Sequence, residues 1–396
     1  MTKLDRLIAE LCPDGVEFVP LSNIAVISNG KDHKSLQDGD IPVYGSGGIM
    51  RYANQCIYNK ESVLIPRKGS IGNIFFMDSP FWTVDTIFYT KINNERIKPK
   101  FFYYYLLTQH LEDLNIAGGV PSLTKTVLDK VGIPLPPLPI QREIVRILDN
   151  FTELTAELTA ELTAELTARK KQYEYYRNYL LTFDNAAHTL LTERIGTVQW
   201  LTLGEICNLV RGNGLQKKDF RKSGVGCIHY GQIYTFYGTF AKETKSFVSP
   251  ELARTLRTVN GGDLIITSTS ENVEDVCKAV AWLGDENIVT GGHAIILKHK
   301  QNPKYLAYYT QTAMFHKEKR RYAGGTKVID ISATNMAKIK IPIPPLEEQN
   351  RIVSILDRFD ALTTDISNGL PAEIAARQKQ YEYYRDRLLS FKEIGS

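Results

Sequence analysis

The chain has 396 residues, 43% hydrophobic and 23% charged, with 48 Lys and Arg against 44 Asp and Glu, a length that suits two or three domains. No apolar run approaches the roughly 18 residues of a membrane span. The opening MTKLDRLIAEL has no signal-peptide core, and the five dispersed cysteines form neither a disulfide framework nor a zinc motif. A net charge of +4 permits nucleic acid without requiring it, and a reducing compartment fits the cysteine usage.

The first 137 residues mix short strand-like runs with turn signals: Ser62–Pro66, Asn73–Phe76 and Thr86–Tyr89, followed by a helical pattern over Lys98–Leu111. Between them lie Gly-rich, basic loops: Tyr44-Gly-Ser-Gly-Gly48, Arg67-Lys68-Gly-Ser70, and Gly118-Gly119-Val-Pro-Ser122 leading to Lys125. Residues 138–183 follow a Pro-rich entry and contain no glycine and no proline beyond Pro139, which is tolerated in a first helical turn. Ile144, Ile147, Leu148, Phe151, Leu154 and Leu158 recur at three- and four-residue steps, which predicts one long amphipathic helix. About 45 residues at 1.5 Å each would run for nearly 70 Å, and such a helix needs a partner for its stripe.

Residues 184–345 repeat the flavour of the first segment. Strand-like runs are Asp263–Ile266, Val276–Trp282 and Ala294–Leu297, and the loops carry Asn213, Lys217, Lys218, His229, Tyr230, Ser268, Ser270, Arg320, Arg321 and Lys327. Both segments read as α+β heads. In the loops, Ser and Thr hydroxyls and turn amides suit phosphate oxygens, while Arg, Lys and Gln suit base edges. Tyr44, Arg67, Lys68, Ser70, Ser122 and Lys125 are the corresponding candidates in the first head. Ordinary solvation explains any single loop; recurrence in two heads favours DNA.

The chain is also written twice. Residues 133–183 align on 341–391 without a gap at an offset of 208, with 29 of 51 positions identical. IPLPPL becomes IPIPPL, and KQYEYYR recurs at 171–177 and 379–385. The second copy is interrupted at Asn368-Gly369-Leu370-Pro371, which predicts two helices with a break. The heads match only loosely, as in Pro99-Lys-Phe and Pro303-Lys-Tyr. The Tyr-rich motif suits either a stacking platform for single strands or packing and partner binding.

Within the long helix, TAEL occurs at 155–158, 159–162 and 163–166. It is either a plain helix former or a ruler. Four added residues lengthen a helix by about 6 Å and rotate its distal end by about 40° beyond a full turn. One base pair advances about 3.4 Å and turns about 35°.

No GxGxxG after a strand, GxxxxGK[ST], HExxH or [DN]PP[YF] is present, and Asp85 and Asp263 read as structural carboxylates. The duplicated PLPxQxxIVxILD…KQYEYYRxxLLxF helices, the TAEL run and the unlike heads resemble the specificity (HsdS) subunit of type I restriction-modification systems. The resemblance covers essentially the whole chain, strongest in 133–183 and 341–391 and weak in the heads.

The resemblance implies an α+β protein with two target recognition domains, 1–137 and 184–345. They would be separated by a long antiparallel, coiled-coil-like helical pair (138–183 and 346–396) with an internal pseudo-two-fold repeat. It implies a non-catalytic subunit whose heads each read one half of a bipartite asymmetric double-stranded DNA target. TAEL copy number is the family's spacer variable. Two modification subunits would dock on the helices and up to two restriction subunits would join them. S-adenosylmethionine, ATP and Mg belong to those partners, which carry adenine methyltransferase and ATP-dependent endonuclease activities; no cofactor is expected in this chain. Gln141, Ile144, Leu148, Phe151, Tyr173, Tyr176, Gln349, Ile352, Leu356, Phe359, Tyr381 and Tyr384 would form scaffold and docking surface. The expected location is cytoplasmic, with no membrane, and the chain ends should lie close together. The alternatives are a self-contained methyltransferase or nuclease fused to recognition domains, which the absent motifs disfavour, and a bare coiled-coil scaffold.

Overall fold

The computed structural model describes residues 2–115, 121–183, 198–364 and 369–395; Gly118, Gly119 and Asn368 fall outside them. Two compact units form, residues 1–163 with 373–396, and residues 164–372. The framework helices are α1 (Lys3–Leu11), α2 (Pro99–Leu106), α3 (Leu138–Leu181), α4 (Pro303–Tyr309), α5 (Leu346–Thr364) and α6 (Leu370–Leu388). Helix α3 runs 44 residues without interruption, as a stretch free of glycine and of internal proline allows. The second copy is two helices, and Pro371 sits in the first turn of α6, where its missing amide costs nothing.

In the first unit the head carries β1 (Phe18–Pro20), β2 (Ala25–Asn29), β3 (Ile41–Gly45), β4 (Gly48–Ala53), β5 (Ser62–Pro66), β6 (Phe75–Met77), β7 (Trp82–Thr83), β8 (Ile87–Ile92) and β9 (Gly132–Pro134). They pair as a four-stranded sheet β2-β8-β5-β6, a three-stranded sheet β4-β3-β7 and a ribbon β1-β9. The expected strand at Asn73–Phe76 is shifted to Phe75–Met77, and the helix expected to reach Leu111 stops at Leu106. Thr108 Oγ1 donates to the Tyr105 carbonyl and His110 turns left-handed (φ 42°), which swings Leu111 back into the core.

That core is shared between head and helices. Phe101, Phe102, Ile140, Ile144, Leu148 and Leu389 bury together, each contributing about 1.5–3 kcal/mol by burial. Helices α3 and α6 run antiparallel here: Phe151 packs on Tyr384 (ring centroids 5.9 Å), Thr152 Oγ1 lies 3.0 Å from Tyr381 Oη, and Ile147 and Leu388 line one groove. The C-terminal segment then pairs with the head's entry. The Val16 amide donates to the Lys392 carbonyl (2.9 Å) and the Ile394 amide to the Val16 carbonyl (3.1 Å), so the expected approach of the chain's ends is present at these residues.

In the second unit the head carries β10 (Gln199–Thr202), β11 (Cys207–Arg211), β12 (Val225–Ile228), β13 (Phe240–Ala241), β14 (Ser246–Val248), β15 (Arg257–Val259), β16 (Leu264–Thr267), β17 (Thr269–Ser270), β18 (Ala279–Trp282), β19 (Ile288–Thr290), β20 (Ala294–His299), β21 (Ile329–Asp330) and β22 (Lys340–Ile343). Its sheets are β11-β20-β16-β18-β13 and β14-β12-β19-β15, with ribbons β10-β22 and β17-β21. The plan repeats the first head. A ribbon closes its base, the order β11-β20-β16-β18 matches β2-β8-β5-β6, and the parallel pair β12/β19 matches β3/β7. Strand β18 begins three residues later than Val276 because Cys277 takes a left-handed φ of 67°.

In this unit α3 meets α5: Tyr176 stacks on Phe359 (5.5 Å, 25°), and Tyr173, Leu181, Ile352, Val353 and Leu356 share the core. Phe359 is the repeat counterpart of Phe151 and Tyr176 that of Tyr384, so the same aromatic pair forms in each unit with the copies exchanged. Between the two packed ends, residues 151–172 of α3 include no buried residue, and Leu154 is 63% exposed. The stripe expected to be continuous is therefore buried only toward its ends.

Candidate nucleic-acid interface

Positions identical in the two copies of the repeat fasten each head to its helix by closely corresponding bonds. Gln141 is fully buried; its Oε1 accepts from the Lys98 amide (2.7 Å) and its Nε2 donates to the Arg96 and Pro136 carbonyls. Gln349, equally buried, accepts from the Asn302 amide (2.9 Å) and donates to the Pro344 carbonyl and Gln301. Asp149 receives Lys100 Nζ (2.8 Å) and Tyr104 Oη (2.8 Å); Asp357 receives Lys304 Nζ (2.7 Å) and Tyr308 Oη (2.7 Å). Burial holds both phenols far above the usual tyrosine range, so each remains a protonated donor to its carboxylate. Sequence inspection missed this lysine–tyrosine–aspartate set, although Pro99-Lys and Pro303-Lys were visibly alike.

For six of the scaffold and docking residues the docking half of the expectation is corrected by this geometry, while the scaffold half stands. Gln141, Ile144, Leu148, Gln349, Ile352 and Leu356 are at most 1% exposed and hold the chain's own heads, so they present nothing to a partner. Tyr173 is buried with Arg177 over its ring and Tyr381 meets Thr152, whereas Tyr176 and Tyr384 pack on Phe359 and Phe151 with one side still exposed. Packing thus accounts for most of the KQYEYYR motif, while Tyr175 and Tyr383 remain 64% and 59% exposed.

In the first head the predicted loops come together. Arg67 and Lys125 both stand over the buried Phe88 ring, 5.2 and 5.9 Å from its centroid. Lys68 bridges Ser122 through the backbone, and the Leu123 amide donates to the Arg67 carbonyl. Ser70 is exposed on the same loop. Asn73 Nδ2 donates to the Ser46 carbonyl, which ties the turn after Tyr44 to that loop.

The second head builds the equivalent face with other residues. After β16, Thr269–Ser270 pairs with Ile329–Asp330, and the Ile331 amide donates to the Ser268 carbonyl, as Leu123 does to Arg67. Tyr230, Ser270, Asn272, Asp275, His293 and Val328 line a cleft of about 540 Å³, and the Tyr230 and His293 rings lie 4.8 Å apart. Lys327 is exposed beside Val328. The loop bearing Asn213 packs on the turn before His293; a Cβ on Gly212 would run into the Gly291 carbonyl, so only glycine fits. Lys217 and Lys218 are exposed on the following turn.

Two candidates are overturned. His229 is 6% exposed and caps the helix Tyr230–Thr235, its Nδ1 accepting from the Gly231 amide (3.1 Å); burial, then Lys217, pulls its pKa down. Ser268 is 2% exposed, just before β17, with its backbone bonded to the His293 carbonyl and the Ile331 amide. Neither side chain reaches a surface. Arg320 and Arg321 do not line the cleft and pair with Glu274 and Glu318. Asp263 is structural as expected, held by Lys298 and the Asn260 amide.

The sequence profile of the type I restriction modification DNA specificity domain matches residues 13–168 and 196–376. The chain belongs to that family. It is 31% identical to the EcoR124I/EcoR124II specificity subunit of Escherichia coli, over 99% of this chain and 97% of that one. It is 33% identical to a Haemophilus influenzae protein named as a type I restriction enzyme specificity subunit, over 95% and 96%.

Two solved structures share the fold. One comes from a study of complex assembly and conformational transition in the type I R-M system (TM-score 0.68, 16% identity, 95% of this chain and 98% of that one). The other is the HsdS subunit from Thermoanaerobacter tengcongensis (TM-score 0.52, 15% identity, 96% of each). As a type I specificity subunit the chain is a non-catalytic DNA-recognition component that works with other subunits. No support exists for a self-contained methyltransferase or nuclease. Among the described residues no helix is long and apolar enough to cross a membrane.

Proposed function

We propose that each head, residues 1–137 and 184–345, reads one half of a bipartite asymmetric target in double-stranded DNA. Helical segments 138–183 and 346–396 set the distance between the halves and dock two modification subunits, with up to two restriction subunits joining them in the cytoplasm. S-adenosylmethionine, ATP and Mg would serve those partners. The observation that supports this best is the repeated glutamine and lysine–tyrosine–aspartate fastening under two unlike faces: one Arg/Lys-rich around Phe88, one a cleft around Tyr230 and His293. Identical mounts under different readers fit one task performed on two sequences. The candidates that reach the surface, exposed Lys68 and Ser70 with half-buried Tyr44, Arg67, Ser122 and Lys125 in one head, and exposed Asn213, Lys217, Lys218 and Lys327 with half-buried Tyr230 and Ser270 in the other, carry the contacts. The test is to co-express the chain with its modification subunits and sequence the modified bases of the host genome. A two-part motif with a fixed unspecified gap is expected; a single continuous motif, or none, refutes the proposal.

A further inference from the structure

We infer that the β3–β4 hairpin of the first head is a specificity element, in which Ile49 and Met50 contact the 5-methyl group of a thymine in the major groove. This rests on the proposal that the first head meets duplex DNA. Ile49, Met50 and Tyr52 are 48%, 58% and 50% exposed, three large apolar side chains within four positions of the edge strand β4. Elsewhere in this unit the exposed large apolar side chains among the described residues lie on helices, apart from Val26 and Ile394.

The pairing register explains the presentation. Val43 pairs with Arg51 and Tyr44 with Ile49, which leaves Met50 as an extra, bulged residue. A bulge re-aims side chains, so the successive residues Ile49 and Met50 both stay exposed instead of alternating. Met50 rests over Gly45, where a Cβ would lie 2.7 Å from its Sδ, and the Gly47–Gly48 tip is open.

The surroundings select the occupant. The tip touches the cationic loop: a Cβ on Gly69 would lie 3.1 Å from Ser46 Oγ, and Asn73 holds the Ser46 carbonyl. Lys68 thus lies on the loop that meets the apolar tip, with Arg67 and Lys125 behind it over Phe88; these cations match a phosphate backbone, whereas an apolar protein surface would offer them no complement. Arg51 is engaged by Asp38 (2.6 Å) and the Leu36 carbonyl, so it is not the reading group. A two-stranded ribbon fits the major groove, where the thymine methyl is the apolar feature of the base edges.

The test uses the assembled complex once its half-sites are known. Each thymine of the first head's half-site is replaced in turn by deoxyuridine, which removes only the methyl. Binding is measured for the wild type, for the Ile49→Ala/Met50→Ala double variant, and for Gly45→Ala, which displaces only the flexible end of Met50. One deoxyuridine position should weaken wild-type binding about fourfold, the value of one buried methyl. Both variants should bind DNA yet lose that sensitivity. Absence of any sensitive position, or equal sensitivity in the variants, overturns the inference while leaving the two-part reading intact. Loss of the modification subunit from the double variant with sensitivity retained would make the hairpin a protein contact and also overturn it. A wild-type complex without sequence-specific binding sinks both proposals.

Discussion

Gln141 and Gln349 show how much a single buried amide can organise. Each side chain takes the amide at a head's helix entrance and returns donors to the Pro-rich turn before its own helix. Truncating Gln349 to alanine leaves the Asn302 amide and the Pro344 carbonyl buried without that partner, at about 1–3 kcal/mol per orphaned group. Chemical denaturation of Gln349→Ala should show the loss, and unchanged stability would mean that water replaces the amide. The identity of the two glutamines was legible in the repeat. Their partners were not, because a backbone amide leaves no trace in a sequence. His229 failed for the opposite reason: a histidine beside Tyr230 suits a base edge as well as a helix cap, and burial alone decides between them.

At the scale of elements, the long helix was the most readable part of the chain, since a glycine-free stretch has few alternatives. Its division was hidden. The first stretch of α3 packs on α6 and the last on α5, while the TAEL run between contributes no buried side chain, and the boundary between the compact units falls inside that run at Thr163. Deleting residues 159–162 should therefore spare both packed ends while shortening the helix by about 6 Å. The methylated motif is expected to keep both half-sites and lose about one base pair of gap; an unchanged gap ends the ruler idea. Element ends were legible only to within a few residues, because left-handed turns at non-glycine residues such as His110, after a helix, and Cys277, before a strand, carry no sequence signal.

For the molecule as a whole, two heads with a shared sheet order differ in their insertions, one of which shapes the reading faces. After β3 the first head makes a tight glycine hairpin; after β12 the second inserts the helix Tyr230–Thr235 and opens its cleft. If each face reads alone, Arg67→Ala should relax one half of the target and Lys327→Ala the other, as scored by sequencing modified bases; equal losses in both halves would show these residues to be misassigned. The α+β class and the duplication were legible from the start, whereas the contents of each face were not, since loops converge only after the sheets have formed.

The exchange of aromatic partners between the copies also dictates an order of events during synthesis. Residues 164–372 are contiguous, so that unit is complete as soon as it leaves the ribosome. The other needs Tyr381 to reach Thr152 across 229 positions. At about 5–20 residues per second, the first head waits roughly 10–50 s with Ile144 and Leu148 uncovered by Leu389. The part translated first is thus the last to close, and in that interval the apolar face of its helix lies open to misassembly.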